Sequence, residues 1–443
     1  MEQTSSDRPQ QTSYFVLITL LVVICSVLVQ LTTTRLSISL RQNDRIRLTH
    51  KKLGLEQAQS NLRSQFSLEH QPMPEKPVVL QSLWIYPLKS CQGIEVSRSK
   101  VVPSGLEFDR LYTFAQLKKV TVPVGSQAIG KDQYKWEFIT QRQYPLLASL
   151  KVELWQTDLT KPETKRNAYI LFRFPWQGTG LKGTLLWVIA KVTGGWNKRL
   201  EREVMLPVDF PSDKEIQMKA YTYENCTIWK DNVTALNMER ELPPELSLYL
   251  GTRYRLGLFR IDPGRLREVH RCAPTKDGAG YQPVTGFQDA YPLHLMNIAS
   301  VQDLASRIKM DDVLPCLDIE RFRANIIISG ATAYDEDAWK LIAFRPTALS
   351  DVEESRFHVS CRTVRCKQPN VNQITGAKHL VEPFKAMRTH RRVDEGAPLK
   401  GCMGMEMTPL FSQTDIPANM ERILVVGMTL EVIERGSHWY IDS

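Results

Sequence analysis

No Cys-x-x-Cys pair occurs anywhere in the 443-residue chain. Eight cysteines stand at 25, 91, 226, 272, 316, 361, 366 and 402 without regular spacing, which argues against a zinc ribbon or a thioredoxin motif. Scattered cysteines in a chain this long fit a reducing compartment, where most are buried and inert. The net charge is +9, yet the body carries no long basic block, so nothing in it asks for nucleic acid. Apolar content of 42% and charged content of 24% exclude a disordered chain. The length suits about two ordinary domains with additions.

One apolar run is long. "YFVLITLLVVICSVLVQL" spans Tyr14 to Leu31 without a charge, with Thr19, Ser26 and Gln30 its only clearly polar members. That is at the short end of what crosses a bilayer as a helix. A cleaved signal peptide is the bland reading. The run is preceded by little positive charge, exceeds an ordinary h-region and leads into "QLTTTRLSISL", not a small-x-small cleavage site. A membrane anchor is therefore expected over 14–34, after a tail over 1–13. Arg35, Arg41, Arg45, Arg47, Lys51 and Lys52 follow it against Asp44 alone, and only Arg8 precedes it. Positive-inside then places the body in the cytosol, with the basic stretch able to lie against anionic lipid. In that compartment the sequons at Asn225 and Asn232 are chance matches. Residues 35–77 are polar and end in a proline-rich break, which predicts a partly helical stalk.

From Val78 onward strands dominate. "QSLWIYPL", "EVSRSKVV", "YKWEFITQRQYPLLASLKVELWQ" and "NAYILFRFPW" alternate with turns such as Cys91–Gly93 and Pro103–Gly105. Lys89 and Ser90 follow one strand and Arg110 precedes another, a pattern that can hold a phosphate but more often is solvated charge. "GTLLWVIAKV" (Gly183 to Val192) is too short to span and predicts a packed helix. Later, Ser300 is a plausible cap for a helix with Val301, Leu304, Ala305 and Ile308 on one face. "RFRANIIISG" predicts a buried strand closed by Gly330, with Arg321, Arg323 and Asn325 at its entry. The expectation is a mainly β (α+β) chain, barrels decorated with helices.

"CRTVRCKQPNVNQITG" holds Cys361 and Cys366. A thiolate at Cys366 would be favoured by Arg365 and Lys367, and thiolate is a soft metal ligand. A plant-type ferredoxin pattern would need a further cysteine where Pro369 stands. A packed core cysteine is the default for a lone Cys and stays open on chemistry alone.

"LWIYPLKSCQGIEV", "FDR", "TQRQYPLLA", "FQDAYPL", "FRANIIISG" with "YDEDAW", and "RCKQPNVNQITG" occur in this order. Together they resemble the MOSC superfamily, and within it the amidoxime-reducing components of eukaryotic membranes; "RCKQPN…TG" and "GCMGMEMTPL" resemble the fungal branch. The resemblance implies a MOSC N-terminal β-barrel domain over 78–255 and a MOSC β-barrel domain over 256–438, preceded by one transmembrane helix. It implies that Cys366 ligates the molybdenum of a molybdenum cofactor. Lys89, Ser90 and Arg110 would hold the terminal phosphate of molybdopterin, Arg323 and Asn325 the pterin, and Arg365 another part of the cofactor; Asp289 would line its pocket. Thr363 stands where some relatives carry a second cysteine. Residues 160–250 are longer than in relatives, with no role implied.

The implied activity is reduction of N-hydroxylated compounds. The chain has no haem, flavin or 2Fe–2S motif, so electrons would come from outside, in relatives from cytochrome b5 and NADH-cytochrome b5 reductase. The implied location is the mitochondrial outer membrane or another endomembrane. The alternative is a non-catalytic carrier or scaffold for the cofactor, and a third reading is an empty MOSC fold. A cofactor sulfurase would need a further large domain, which the stalk cannot hold.

Overall fold

In the computed structural model, the described residues are 46–120, 133–158, 160, 167–176, 200–347, 352–412, 416 and 419–441, with Thr19, Leu20, Val22, Val23 and Ser26. The expected anchor therefore lies outside the described residues except for those five, and the expected helix over Gly183–Val192 lies outside them altogether. Among the described residues no helix is long and apolar enough to cross a membrane. The chain divides into a larger unit, 53–154 with 167–443, and a smaller one, 1–52 with 155–166. All the residues singled out above in the body belong to the larger unit.

That unit holds two β structures. Five strands close into a barrel in the order Thr222–Ile228, Asp231–Asn237, Arg255–Arg260, Tyr112–Val120, Gln133–Phe138. A parallel contact of Cys226 with Trp136 and Thr227 with Glu137 seals it. Alternation explains the closure: Ala115, Trp136, Phe138, Cys226, Ile228, Val233, Ala235 and Phe259, at every second position of their strands, form one buried cluster. The second structure is an eight-stranded sheet whose strands Ile326–Ser329 and Val79–Ile85 also pair, which rolls it back on itself. Ile326–Ser329 is buried throughout, as its β-branched run requires.

Val79–Ile85 begins the first sequence domain, yet it is built into this second sheet together with Ile94–Val96. No local signal could show that, because the partners lie over 200 residues away. Part of the stalk expectation also needs correction. Residues from 53 onward pack on the body: Leu62 is buried with Trp84 and Tyr86, and buried His70 meets Ser329 Oγ at 2.9 Å. Sparse apolar residues hid this, since a single well-placed leucine is enough to dock a polar segment.

The helix near 300 spans Ile298–Ser306, and its cap is Asn297, not Ser300. Asn297 ends a buried strand and its Oδ1 accepts from Ala299 N at 3.1 Å. Ser300 lies inside the helix and donates to Glu336 Oε1 at 2.6 Å. The buried face carries Val301, Leu304 and Ile308, as the spacing predicts. Within the segment 160–250, the hairpin Thr222–Ile228/Asp231–Asn237 supplies two strands of the closed barrel.

Candidate functional site

A cleft of about 820 Å³ is lined by Lys89, Ser90, Arg110, Asp289, Arg323, Asn325, Arg365 and Cys366. The structure thus brings together the eight residues that the resemblance assigned to the cofactor, but not Cys361, Arg321 or Lys367. Nine Lys and Arg side chains line the cleft against three carboxylates. Such a one-sign wall is suited to an anion.

Tight turns after strands aim these side chains. After Val79–Ile85 the chain turns at Ser90, whose φ is 68°, and Lys89 N donates to Tyr112 O at 2.8 Å. Lys89 Nζ donates to Phe287 O at 2.7 Å and pairs with Asp289. Burial pulls the Lys89 ammonium below its ordinary pKa, against the opposing pull of Asp289. Burial also pushes the Asp289 carboxyl up, but the Lys89 charge and hydrogen bond outweigh it and hold the group well below the carboxylate range.

Arg110 sits in a second turn, with φ 49°. Its guanidinium pairs with Asp109, whose side chain is fully buried, and donates to Asn325 Oδ1 at 3.1 Å and Arg323 O at 3.3 Å. Asp109 in turn accepts from Tyr86 N at 2.8 Å. A close approach makes this turn possible. A side chain at Gly105 (φ 118°) would place its Cβ 2.5 Å from Pro292 O.

Arg323 closes the turn Ile319–Phe322 in left-handed conformation, φ 55°. Its Nη1 donates to Cys91 O at 2.6 Å and Gln373 Oε1 at 3.0 Å. Its Nη2 is buried and has no partner among the described residues. Burial lowers its pKa to about 10. Asn325 spans the strands: Nδ2 donates to Trp84 O at 3.1 Å and Oδ1 accepts from His294 N at 3.3 Å.

Arg365 and Cys366 follow the long strand Ser355–Val364. Arg365 N donates to Gly401 O and its Nη2 to Phe322 O, each at 2.9 Å. Cys366 is a free, half-buried thiol on the cleft wall. Cys361 is fully buried, away from the cleft lining, against Val269 and Tyr291. Among the described residues no three His, Cys, Asp or Glu side chains gather as a metal cage. A metal at Cys366 would need most of its ligands from a bound group.

Three contributors go unseen in the sequence, and a fourth, Arg321, stands at the strand entry there without an assigned role. The Tyr86 ring lies between two guanidinium groups, 4.6 Å from Arg110 and 4.1 Å from Arg323. Its π faces let two like charges sit close together out of water. Buried Arg321 reaches Pro369 O and Asn370 O at 3.4 and 3.5 Å, behind the Cys366 loop. His294 lines the cleft, and burial followed by Arg365 and Arg110 drives its pKa well down, so it stays neutral. Glu406 also lines the cleft, and burial raises its pKa to about 7 against the pull of Arg365. Among the three, only "YPLKS" gave a hint, through a tyrosine beside a basic turn.

The domain comparison agrees with this architecture. A MOSC N-terminal beta barrel domain model matches residues 78–187 and a MOSC domain model matches residues 282–414. The chain is 24% identical over 316 residues to mitochondrial amidoxime reducing component 2 of Rattus norvegicus, covering 71% of this chain and 73% of that protein. It is 24% identical over 347 residues to mitochondrial amidoxime-reducing component 1 of Homo sapiens, covering 77% and 80%. Over a shorter stretch of 148 residues it is 30% identical to the Danio rerio component 1, covering 33% and 40%. With both domain models matched in sequence order on two β structures, the chain belongs to the MOSC superfamily and is related to the amidoxime-reducing components.

Proposed function

We propose that this chain is a molybdenum cofactor-dependent oxidoreductase that reduces N-hydroxylated compounds. One observation carries the reading. Buried cations and a free thiol line one cleft, and Arg323 Nη2, itself buried in the cleft wall, has no hydrogen-bond partner among the described residues. A buried guanidinium nitrogen without an acceptor is costly unless a ligand supplies one. A phosphorylated, polar cofactor with its own sulfur donors fits that donor set.

In this reading Lys89, Ser90 and Arg110 hold the terminal phosphate, where charge-assisted bonds are roughly twice as strong as neutral ones. Arg323, Asn325 and Arg365 orient the pterin, Asp289 fixes the Lys89 ammonium at the wall, and Cys366 supplies the protein thiolate to the metal. The cofactor supplies a two-electron centre that removes oxygen from nitrogen; the net reaction takes an N-hydroxyl compound, two electrons and two protons to the amine or amidine and water. The protein binds, orients and shields. Neutral His294 beside Arg365 adds no competing positive charge, and its ring nitrogen lies 3.5 Å from Arg365 Nη1.

Electrons come from an external donor, for which cytochrome b5 and its NADH-dependent reductase are the proposed partners. The apolar run at 14–31 anchors the chain, with the body facing the cytosol at the mitochondrial outer membrane or another endomembrane. The relatives' printed names, which are mitochondrial, support that location. Asn225 and Asn232 are both exposed, so a luminal body would offer them for glycosylation.

The deciding experiment is metal and pterin analysis of the purified chain together with turnover of an amidoxime under a chemical reductant. Molybdenum near one per chain with turnover is expected. Bound cofactor without turnover would make the protein a carrier, and a folded protein lacking both metal and pterin would leave an empty MOSC fold.

A further inference from the structure

The outer half of the same cleft differs from the inner half. Arg142, Arg271 and Arg388 reach its mouth, and none has a carboxylate partner among the described residues. The three acids of the cleft are engaged elsewhere. Asp289 pairs with Lys89, Asp231 pairs with Arg267, and Glu406 faces the Arg365 charge. Nothing in the lining answers the outer arginines.

Two of the three touch aromatic rings. The Arg142 guanidinium lies 4.3 Å from the centre of the Trp229 ring, and Arg388 lies 5.8 Å from that of Phe384. Trp229 occupies the tip of the hairpin between Thr222–Ile228 and Asp231–Asn237 with φ 55°. A bulky residue rarely adopts that conformation, which belongs to glycine or asparagine in hairpin turns. The strain is held by packing: Trp229 meets Phe138 edge-on at 5.2 Å. Strained residues of this kind gather at ligand clamps. Exposed arginines are usually just solvated. Here the three line one concave cleft, Arg142 and Arg388 rest on aromatic faces, and none has a carboxylate partner among the described residues.

We propose that this mouth is a subsite for the anionic portion of the substrate, so that the compounds reduced here are N-hydroxylated anions carrying a carboxylate or phosphate on an aromatic or aliphatic body. The inference rests on the reaction proposed above and specifies its substrate class. The ring or chain would lie on Trp229 and Phe384, and the charge would meet Arg142, Arg271 and Arg388. The N-hydroxyl end would then point inward to Cys366.

The test compares benzamidoxime with its para-carboxylate on the full, cofactor-loaded chain. The carboxylate should show the higher kcat/KM by roughly three- to tenfold, expressed in KM, from two or three exposed charge pairs. The advantage should shrink with added salt, since screening lengths fall to about 8 Å at physiological ionic strength. Arg142→Gln and, separately, Arg388→Gln should narrow the ratio between the two substrates. Calorimetric binding of the two compounds provides a readout that needs no turnover. If neither compound is reduced, the proposed reaction fails, and binding still decides the subsite. Equal binding and equal kcat/KM for both compounds would overturn it. So would loss of pterin from either variant, because the outer arginines would then belong to the cofactor.

Discussion

The inner and outer halves of the cleft both set cations against rings, but among the described residues only the inner ones are also tied down by their side-chain nitrogens to the main chain. Deep inside, each cation is tied to main-chain oxygen: Lys89 to Phe287, Arg110 to Arg323, Arg323 to Cys91 and Arg365 to Phe322. At the mouth, Arg142 and Arg388 rest on rings. These carbonyls lie in tight turns anchored between strands, so the inner donors are positioned before any ligand arrives. The outer arginines keep their rotamers and can follow a variable ligand. Substitutions inside should therefore act as all-or-none changes, and those outside as graded ones.

The largest expected effect tests the inner end. Cys366→Ser exchanges a soft donor for a hard one at nearly constant volume. Loss of supporting groups around a metal alone costs 10–100-fold, so loss of the ligand should cost turnover more than about 100-fold. The thiol is half-buried, so folding should survive. Elemental analysis and amidoxime turnover check this; a variant with full molybdenum and full activity would remove Cys366 from the site.

Next in size is the phosphate clamp. Arg110→Ala should strip the pterin, but alone it is a poor experiment. It leaves the fully buried Asp109 carboxylate without its counter-charge. Breaking a buried pair in that way costs about 3–5 kcal/mol. Asp109→Asn removes the stranded charge, and its amide oxygen can still accept from Tyr86 N. The double variant is expected to melt near the wild type and still lack pterin. Retained pterin in the double variant would show that Arg110 is not part of the clamp.

These contrasts also show what sequence could and could not display. The inner residues were legible as a site only through the resemblance, because strand-end basic residues read alone are more often solvated charge; their short motifs carried the match. "PLKS", "FDR", "RFRAN" and "VRC" each name their own turn. Their convergence was not encoded locally. It arises because Val79–Ile85 pairs with Ile326–Ser329, which brings Arg110 within reach of Asn325. Tyr86, His294 and Glu406 escaped notice because each sits in an ordinary strand or strand-end context, and only packing gives it a charged neighbour. The helix start slid from Ser300 to Asn297 because both are good caps, and the buried Glu336 claimed the serine. Trp229 gave no signal, since a tryptophan at a hairpin tip opposes local preference.

Glu406 offers a smaller, pH-dependent effect in the cofactor-free protein. Its pKa in the fold is about 7, raised by burial from 4.5. An acid raised in this way contributes stability that is fully present below about 4.5 and lost as pH rises through about 7. Glu320 and Glu336, also raised to about 7 by burial, act in the same direction. Buried His70, His294, His358 and His438, whose pKa values burial lowers from 6.5, act in the opposite direction as pH falls, so the comparison of wild type with a Glu406 variant is what isolates the glutamate. Glu406→Gln should remove one of the three glutamate contributions, making the variant more stable at pH 8 relative to pH 5, compared with the wild type, by about 1–3 kcal/mol. Denaturation midpoints of both proteins at the two pH values check this, and parallel profiles would mean that Glu406 is already ionised at pH 5.

The smallest effect belongs to the other cysteine of the opening motif. Cys361 is fully buried, with Cys272 among the partly buried residues packed on its cluster. The hydrogen bond with Cys272, followed by burial, holds the Cys361 thiol well above its ordinary pKa. It therefore stays protonated at neutral pH, whereas thiolate is the form that binds metal or attacks. It also lies outside the cleft lining. Cys361→Ser swaps one small hydrogen-bonding group for another, so a cost of about 1 kcal/mol in stability is expected from the more demanding hydroxyl. Turnover should stay within about twofold, because neither the clamp nor the ligand is touched. Melting curves and amidoxime kinetics on Cys361→Ser and Cys366→Ser together give the sharpest contrast in the molecule. Two cysteines five residues apart, one facing the cleft and one facing the core, should separate chemistry from packing. Loss of turnover in Cys361→Ser with full turnover in Cys366→Ser would reverse that assignment.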